Sequence, residues 1–258
     1  MQTDCRTTAA ILGARIDVLS WQQSVDRIAG WGQRRESRYV CACNVHSVVT
    51  ASTDASFRTA INGADMATPD GMPVAWSIRA LGFGKQERIN GPDLMWRLLG
   101  RCADHGQSVF FYGSSEQTLA QLQVRIAGAF PSLKVAGMLS PPYRPLTEAE
   151  DQQIVEGVNA SGAALVFVGL GCPKQEVWMA QHRGRINAVM LGVGAAFDYH
   201  ADTLARAPVW MQSLGLEWAY RLLKEPRRLW RRYLSTNSAF LFGITRQLLN
   251  RNNQTKSH

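Results

Sequence analysis

Four short stretches place reactive or anion-holding residue types at the ends of apolar segments. They are "NVH" at 44–46, "ATPDGMP" at 67–73, "YGSS" at 112–115 and "GLGCPKQE" at 169–176. In an open α/β sheet the loops at the carboxyl ends of the strands are where ligands bind. Asp70 is ambiguous there. Pro-Asp-Gly is turn chemistry, and a carboxylate on a strand-to-helix loop is also where such an enzyme keeps a general base. Alone, Asp70 reads as a turn former. Gly113-Ser114 and Gly169-Leu170-Gly171 each precede a helix start, whose free N–H groups and dipole suit a phosphate. Neither is a G-x-G-x-x-G or a G-x-x-x-x-G-K-[ST], which disfavours a dinucleotide site or a P-loop. Taken singly, each loop is equally an ordinary βα connection. His46, near Asn44, is a candidate site residue, whereas His105 and His182 lie in helix-end contexts and read as surface residues.

The missing motifs narrow the chemistry. There is no D-x-D to bridge a metal to a nucleotide sugar, no G-x-S-x-G elbow and no H-E-x-x-H. Glu148-Ala-Glu150 sits in a helix's first turn, where acids are expected in any case. No metal site and no cofactor is expected. The cysteines (Cys5, Cys41, Cys43, Cys102, Cys172) form no C-x-x-C, a pattern of reduced thiols in a cytoplasmic protein. "MQTDCRTTAA" lacks the layout of a secretion signal, and no apolar run reaches membrane-spanning length.

The elements that would position these residues alternate. Strand-like segments fall at 9–18, 38–44, near 64–68, at 108–113, 133–139, 163–171 and 187–194. Helical patterns fall between them, at 20–35, 47–61, 72–81, 93–103, 114–130, 148–159 and 173–183. Ser20 is an N-cap, and Thr147 with Glu150 makes a capping box. The continuous apolar run "AALVFVGLG" is a strand buried on both faces. This rhythm predicts an α/β fold with a mostly parallel, doubly wound, Rossmann-like sheet. A boundary near Ala207-Pro208 separates an α/β core, 1–207, from a helical appendage, 208–258.

The 258 residues are 46% hydrophobic, enough for a large core. The net charge of +8 is lopsided. Between Glu217 and His258 there are nine Lys/Arg against two Asp/Glu, while residues 1–216 carry nineteen against eighteen. A neutral body with a basic tail points to a membrane surface, a nucleic acid or a polyanionic substrate. In the tail, Trp218, Leu222, Leu229, Trp230 and Tyr233 can share an apolar face interrupted at Pro226. Arg221, Arg227, Arg228, Arg231 and Arg232 occupy the remainder. That mix describes a core-packed helix with a solvated basic face, or an interfacial helix on anionic lipid. Phe240, Leu241, Phe242 and Ile244 tilt the choice toward lipid, and no nucleic-acid partner is expected. Trp210 and Met211 suit either the core or a homo-oligomer interface.

Together the motifs resemble one family, the WecG/TagA/CpsF glycosyltransferases. The likeness runs from about Leu12 to Tyr233 and rests on their order: "NVHSV", "ADMATPDGMPVAW", "ERINGPDL", "FYGSS", "VGLGCPKQEVWM", "GVGAAFDYHADTLARAPVWM" and "LEWAYRLLKEPRRLWRRYL". The chain looks similar to the family's exopolysaccharide glucosyltransferases in particular. The resemblance implies transfer of a sugar from a UDP-sugar to a polyprenyl-diphosphate-linked saccharide. The work would be done peripherally, at the cytoplasmic face of the bacterial inner membrane, without a metal. It assigns Asp70 as base, with Asn44 and Arg88 beside it. Gly113, Ser114, Gly169, Gly171, Lys174, Gln175 and Glu176 become the donor-binding set. His46, Trp230 and the five tail arginines contact acceptor and membrane. Many members have Gly where this chain has Asp202, which puts that loop's conformation in question. A nucleotide-binding oxidoreductase and a non-enzymatic basic membrane adaptor are the rival readings; the first lacks a glycine fingerprint and an acidic ribose reader.

Overall fold

The computed structural model describes residues 6–255, without the side chains of Arg228, Arg232 and 252–255. The chain starts with a hairpin, β1 (Thr8–Ile11) and β2 (Ala14–Asp17), followed by α1 (Trp21–Gln33). Ser20 and Gln23 close a capping box on α1. Then come β3 (Arg38–Cys43), α2 (Val45–Thr53), α3 (Ala55–Gly63) and β4 (Met66–Pro69). The single helix expected over 47–61 is two. Asp54 takes an extended backbone and its side chain accepts the N–H of Phe57, so it ends α2 and caps α3. Asp competes with the helix for its own backbone groups, and here it wins.

The chain continues through α4 (Met72–Ala80), α5 (Gly91–Asp104), β5 (Ser108–Gly113), α6 (Glu116–Ala129), β6 (Lys134–Leu139) and α7 (Glu148–Ser161). β7 (Leu165–Gly169), α8 (Lys174–His182), β8 (Val189–Gly192) and α9 (Ala196–His200) complete the alternation. The helical tail is α10 (Val209–Ser213), α11 (Glu217–Lys224) and α12 (Pro226–Thr255).

The six long-range strands pair in the order β4-β3-β8-β7-β5-β6, all parallel. Side chains alternate between faces, as strand geometry requires. Cys41, Cys43, Tyr112, Val166 and Val168 enter one core with residues of α2, α3, α4 and α8. Val40, Val109, Phe111, Leu165 and Phe167 enter the other with residues of α1, α5, α6 and α9. After β3 the chain turns into α2 on the first face, and after the neighbouring β8 into α9 on the second. That divergence opens a crevice at the carboxyl edge between them.

The hairpin guards the β4 edge of the sheet. Asp17, 1% exposed, accepts the Ala67 N–H at 2.6 Å and pairs with Arg6 at 2.8 Å. α12 packs on α2, and its Phe240 and Ile244 are buried in the first core; they do not face outward as a lipid surface would require. Gln247 ties α12 to the hairpin, accepting from Leu12 N at 3.0 Å and donating to Ala10 O at 2.7 Å. Among the described residues no helix is long and apolar enough to cross a membrane. Cys41, Cys43, Cys102 and Cys172 are free thiols, and Cys5 lies outside the described residues.

His182 is not a surface residue. It is 2% exposed, stacked on Trp178, with its ring nitrogens 2.7 Å from Trp178 O and 2.9 Å from Asp151. A helix end that packs against a neighbouring helix buries what sequence position alone would leave exposed.

Gly113 marks the tightest point of the carboxyl edge. Its φ is +119°, and a Cβ there would lie 2.6 Å from the backbone of Gly169. Gly113→Ala is expected to lower unfolding stability by about 3 kcal/mol, as overpacking adds to a strained backbone. Gly157, in the exposed middle of α7 with open space around it, supplies the contrast. Gly157→Ala is expected to raise stability by roughly 0.5–1 kcal/mol. Urea denaturation of both variants checks the pair.

Candidate active site

The crevice between β3 and β8 deepens into a cavity of about 550 Å³. β3 delivers Asn44 to its wall, where the side chain caps α2 by accepting Ser47 N at 3.2 Å. β4 delivers Asp70, whose N–H donates to Cys43 O at 3.0 Å. The N-cap of α4 is Gly71, with no side-chain cap, so the Asp70 carboxylate is not spent on that helix. It faces the N–H of Gly91, the first residue of α5, and the amide of Asn44. α5 starts so close because residue 91 has no Cβ, which would sit 3.2 Å from Val193 O.

Arg88 comes from the α4–α5 loop. That loop is anchored by Gln86, which exchanges two hydrogen bonds with the backbone of Leu19, and by Ile89 N on Pro69 O at 2.9 Å. Arg88 Nε donates to the carbonyl oxygen of Asp70, and Nη2 lies 3.8 Å from Asp70 Oδ1. The same Nη2 bonds Glu217 Oε2 of α11 at 2.5 Å. Burial pushes the Asp70 pKa above its ordinary value. Arg88, the Gly91 N–H and Asn44 pull it back, while Glu217 adds to the rise.

On the other side of the crevice, Gln175 donates to Glu176 at 2.9 Å and accepts the Gly194 N–H at 3.1 Å, tying the β7 loop to the β8 loop. Glu176 is fully buried, and burial raises its pKa. Gly171, at φ +80°, faces open space, and no side chain caps the start of α8. Gln175 N, at that start, is already spent on Gly171 O at 3.0 Å, and Val177 N on Pro173 O at 3.3 Å. Arg221 of α11 also lines the cavity, with its Nε buried and no hydrogen-bond partner among the described residues. Tyr199 stands beside it, its phenol pushed up to about 12 by burial.

The cavity wall thus gathers Asp70, Asn44, Arg88 and His46 with Gly171, Gln175, Glu176 and Arg221. Gly113, Ser114, Gly169 and Lys174 lie outside its lining. Ser114 N donates to Gly169 O at 3.2 Å, and Ser115 caps α6 through Thr118 N at 3.1 Å. The polar groups at that turn are largely spent on the fold. Arg227, Arg231 and Trp230 point outward on α12, with Arg231 stacked over Trp230 at 5.3 Å. The side chains of Arg228 and Arg232 fall outside the described residues.

Asp202 keeps the left-handed conformation, φ +56°, that a glycine would adopt. Its carboxylate meets Arg125 at 3.2 Å in solvent and is not part of the cavity lining. Sequence reasoning gave no site role to Tyr199, Glu217 and Asn237, and read Trp218 and Tyr233 only as part of the tail's apolar face; all five are in the wall. No local signal marks them, because they reach the cavity only after α9, α11 and α12 fold over it. Among the described residues no three His, Cys, Asp or Glu side chains gather as a metal site.

A parallel sheet with a carboxylate and two arginines around a switch-point cavity is the arrangement of an α/β enzyme. Residues 9–254 match the Glycosyl transferase WecG/TagA/CpsF family, and the chain belongs to it. The protein is a glycosyltransferase of the kind that carries sugar from a UDP-sugar to a lipid-linked acceptor in cell-surface polysaccharide assembly.

The raised pKa of Asp70 carries a stability cost with a defined sign. Between its ordinary value of 3.8 and the higher folded value, the native state holds the extra proton. Stability therefore falls as pH rises through that window and stays lower above it. Asp70→Asn removes the cost. Its Tm is expected to exceed the wild type's at pH 7, with the gap closing toward pH 3.5, in parallel calorimetric scans.

Proposed function

We propose that the protein is an inverting hexosyltransferase. It moves a glucose- or N-acetylmannosamine-type sugar from a UDP-sugar to a polyprenyl-diphosphate-linked saccharide at the cytoplasmic face of the bacterial membrane. The reading is carried by the Asp70 carboxylate, held in the cavity beside Arg88, whose other partner is Glu217. A sugar hydroxyl is a poor nucleophile until its proton leaves as the new C–O bond forms. Asp70 takes that proton, and its raised proton affinity strengthens it as a base. The UDP diphosphate departs on the opposite side of the anomeric carbon. One displacement inverts that carbon, so an α-linked donor yields a β-linked product.

The negative charge that develops on UDP needs preorganised donors and cations. Arg88 and Arg221 are the groups that supply them, without a metal in the step. Guanidinium groups match phosphate oxygens in bidentate fashion. Gln175 and Gly171 shape the donor side, and His46 the acceptor side.

The outer face of the tail supports membrane contact. Trp230 is 49% exposed, Leu234 64%, Leu241 64% and Phe242 73%, on the same helix as the exposed Arg227 and Arg231. Exposed aromatics and arginines on one helix suit an anionic interface.

Radiolabelled transfer from a panel of UDP-sugars to a membrane lipid extract, with EDTA present, tests the chemistry. Activity with one donor is expected to survive EDTA. It is expected to fall about 10²–10⁴-fold in Asp70→Asn, the usual contribution of a general base. An active Asp70→Asn enzyme would place the base elsewhere.

Vesicle sedimentation tests the surface. Each arginine near an anionic leaflet contributes about 1 kcal/mol. The double variant Arg227→Ser/Arg231→Ser is therefore expected to bind phosphatidylserine vesicles roughly thirty-fold more weakly at low salt. Equal binding by the variant would remove the tail from membrane contact.

A further inference from the structure

Glu217 is the first residue of α11, remote in sequence from the sheet edge, and its carboxylate is only 17% exposed. Its partner Arg88 is 13% exposed and serves two acids with one nitrogen. Nη2 is 2.5 Å from Glu217 Oε2 and 3.8 Å from Asp70 Oδ1. Nε is committed to the Asp70 carbonyl, so the guanidinium cannot swing away from the loop. It can only divide Nη2 between the two carboxylates, and in this arrangement Glu217 has the shorter contact.

We propose that Glu217 is a positioning residue. It draws Arg88 Nη2 off the Asp70 carboxylate and fastens α11 over the cavity, so that docking of the C-terminal helices sets the strength of the base. The inference rests on the reading of Asp70 as that base. An Asp70 paired closely with Arg88 would be a weaker base, because a nearby cation favours the carboxylate form. A Glu217 that holds Arg88 keeps the cation in the site for the departing diphosphate while sparing Asp70 its full effect. Displacing α11 removes the Glu217 charge and returns Arg88 to Asp70, and both changes lower the proton affinity of Asp70. The transferase is then strongest only with its tail in place.

The other groups facing Asp70 leave this balance to Arg88 and Glu217. Cys43 of β3 and Tyr199 of α9 also feel the Asp70 charge, and His46 of α2 and Glu176 of α8 line the same cavity. Burial raises the Cys43 thiol and the Tyr199 phenol, so those two stay neutral near neutral pH. Asn44 and the Gly91 N–H are uncharged donors. Arg221 of α11 faces Tyr199, Tyr233, Glu225 and Glu217.

The test is a carboxyl titration of the full chain by ¹³C NMR with labelled aspartate. The signal missing from Asp70→Asn identifies Asp70. In Glu217→Gln, which keeps a hydrogen-bond acceptor for Arg88 but no charge, the Asp70 midpoint is expected to fall by roughly half a unit to one unit. Glu217→Ala is expected to lower it at least as far and to make the chain after Ala207 easier for a protease to cut. An Asp70 midpoint unchanged in both variants overturns the inference; should Glu217→Ala fail to fold, Glu217→Gln alone decides. The acid limb of kcat/KM, measured with the UDP-sugar the wild type uses, separates the two readings. If limb and midpoint fall together, Glu217 tunes the base. If the midpoint falls and the limb stays, Glu217 tunes Asp70 and the base is another group.

Discussion

The guanidinium of Arg88 joins three parts of the molecule. Its loop is pinned to the end of β4 and to Leu19, its Nε holds the Asp70 carbonyl, and its Nη2 holds Glu217 of α11. A largely buried cation is tolerable only where its charge and its donors are met. That requirement draws a strand end, a loop and a tail helix to one point. The cavity is what remains between them.

The carboxyl edge of the sheet is built for close approach, and at different points it spends that closeness differently. At Gly113 the turn packs backbone on backbone, and its polar groups are consumed by the fold. At Gly171 the same kind of glycine turn faces open space at the cavity wall, and its carbonyl accepts Gln175 N at 3.0 Å. Two loops that look equivalent as sequence therefore differ in their surroundings, because one abuts its neighbouring strand and the other opens outward.

The tail serves stability and chemistry with one helix. Phe240 and Ile244 are core residues that pack with α2, while Leu241 and Phe242, one and two positions along from Phe240, are exposed. Helical periodicity lets a short stretch fill the core and still present apolar surface outside. The helix that closes the cavity thus also presents apolar side chains to solvent.

Local physics made much of this legible from residues alone. Continuous apolar runs announced the parallel strands, capping pairs at Ser20 and Thr147 announced helix starts, and places at strand ends marked the loops of Asn44, Asp70 and Gln175, whereas Arg88 was singled out by the family resemblance alone. These signals act over a few residues, or repeat with the period of a strand or helix, so the chain carries them openly. The split at Asp54, the burial of His182 and the inward turn of Phe240 were not legible, since a competing cap or a packing neighbour decided each one. Only the tertiary structure could bring Glu217 to Arg88, 129 positions away, or set Tyr199 beside Arg221. Such pairings depend on which faces of distant helices pack, and neither periodicity nor capping encodes that.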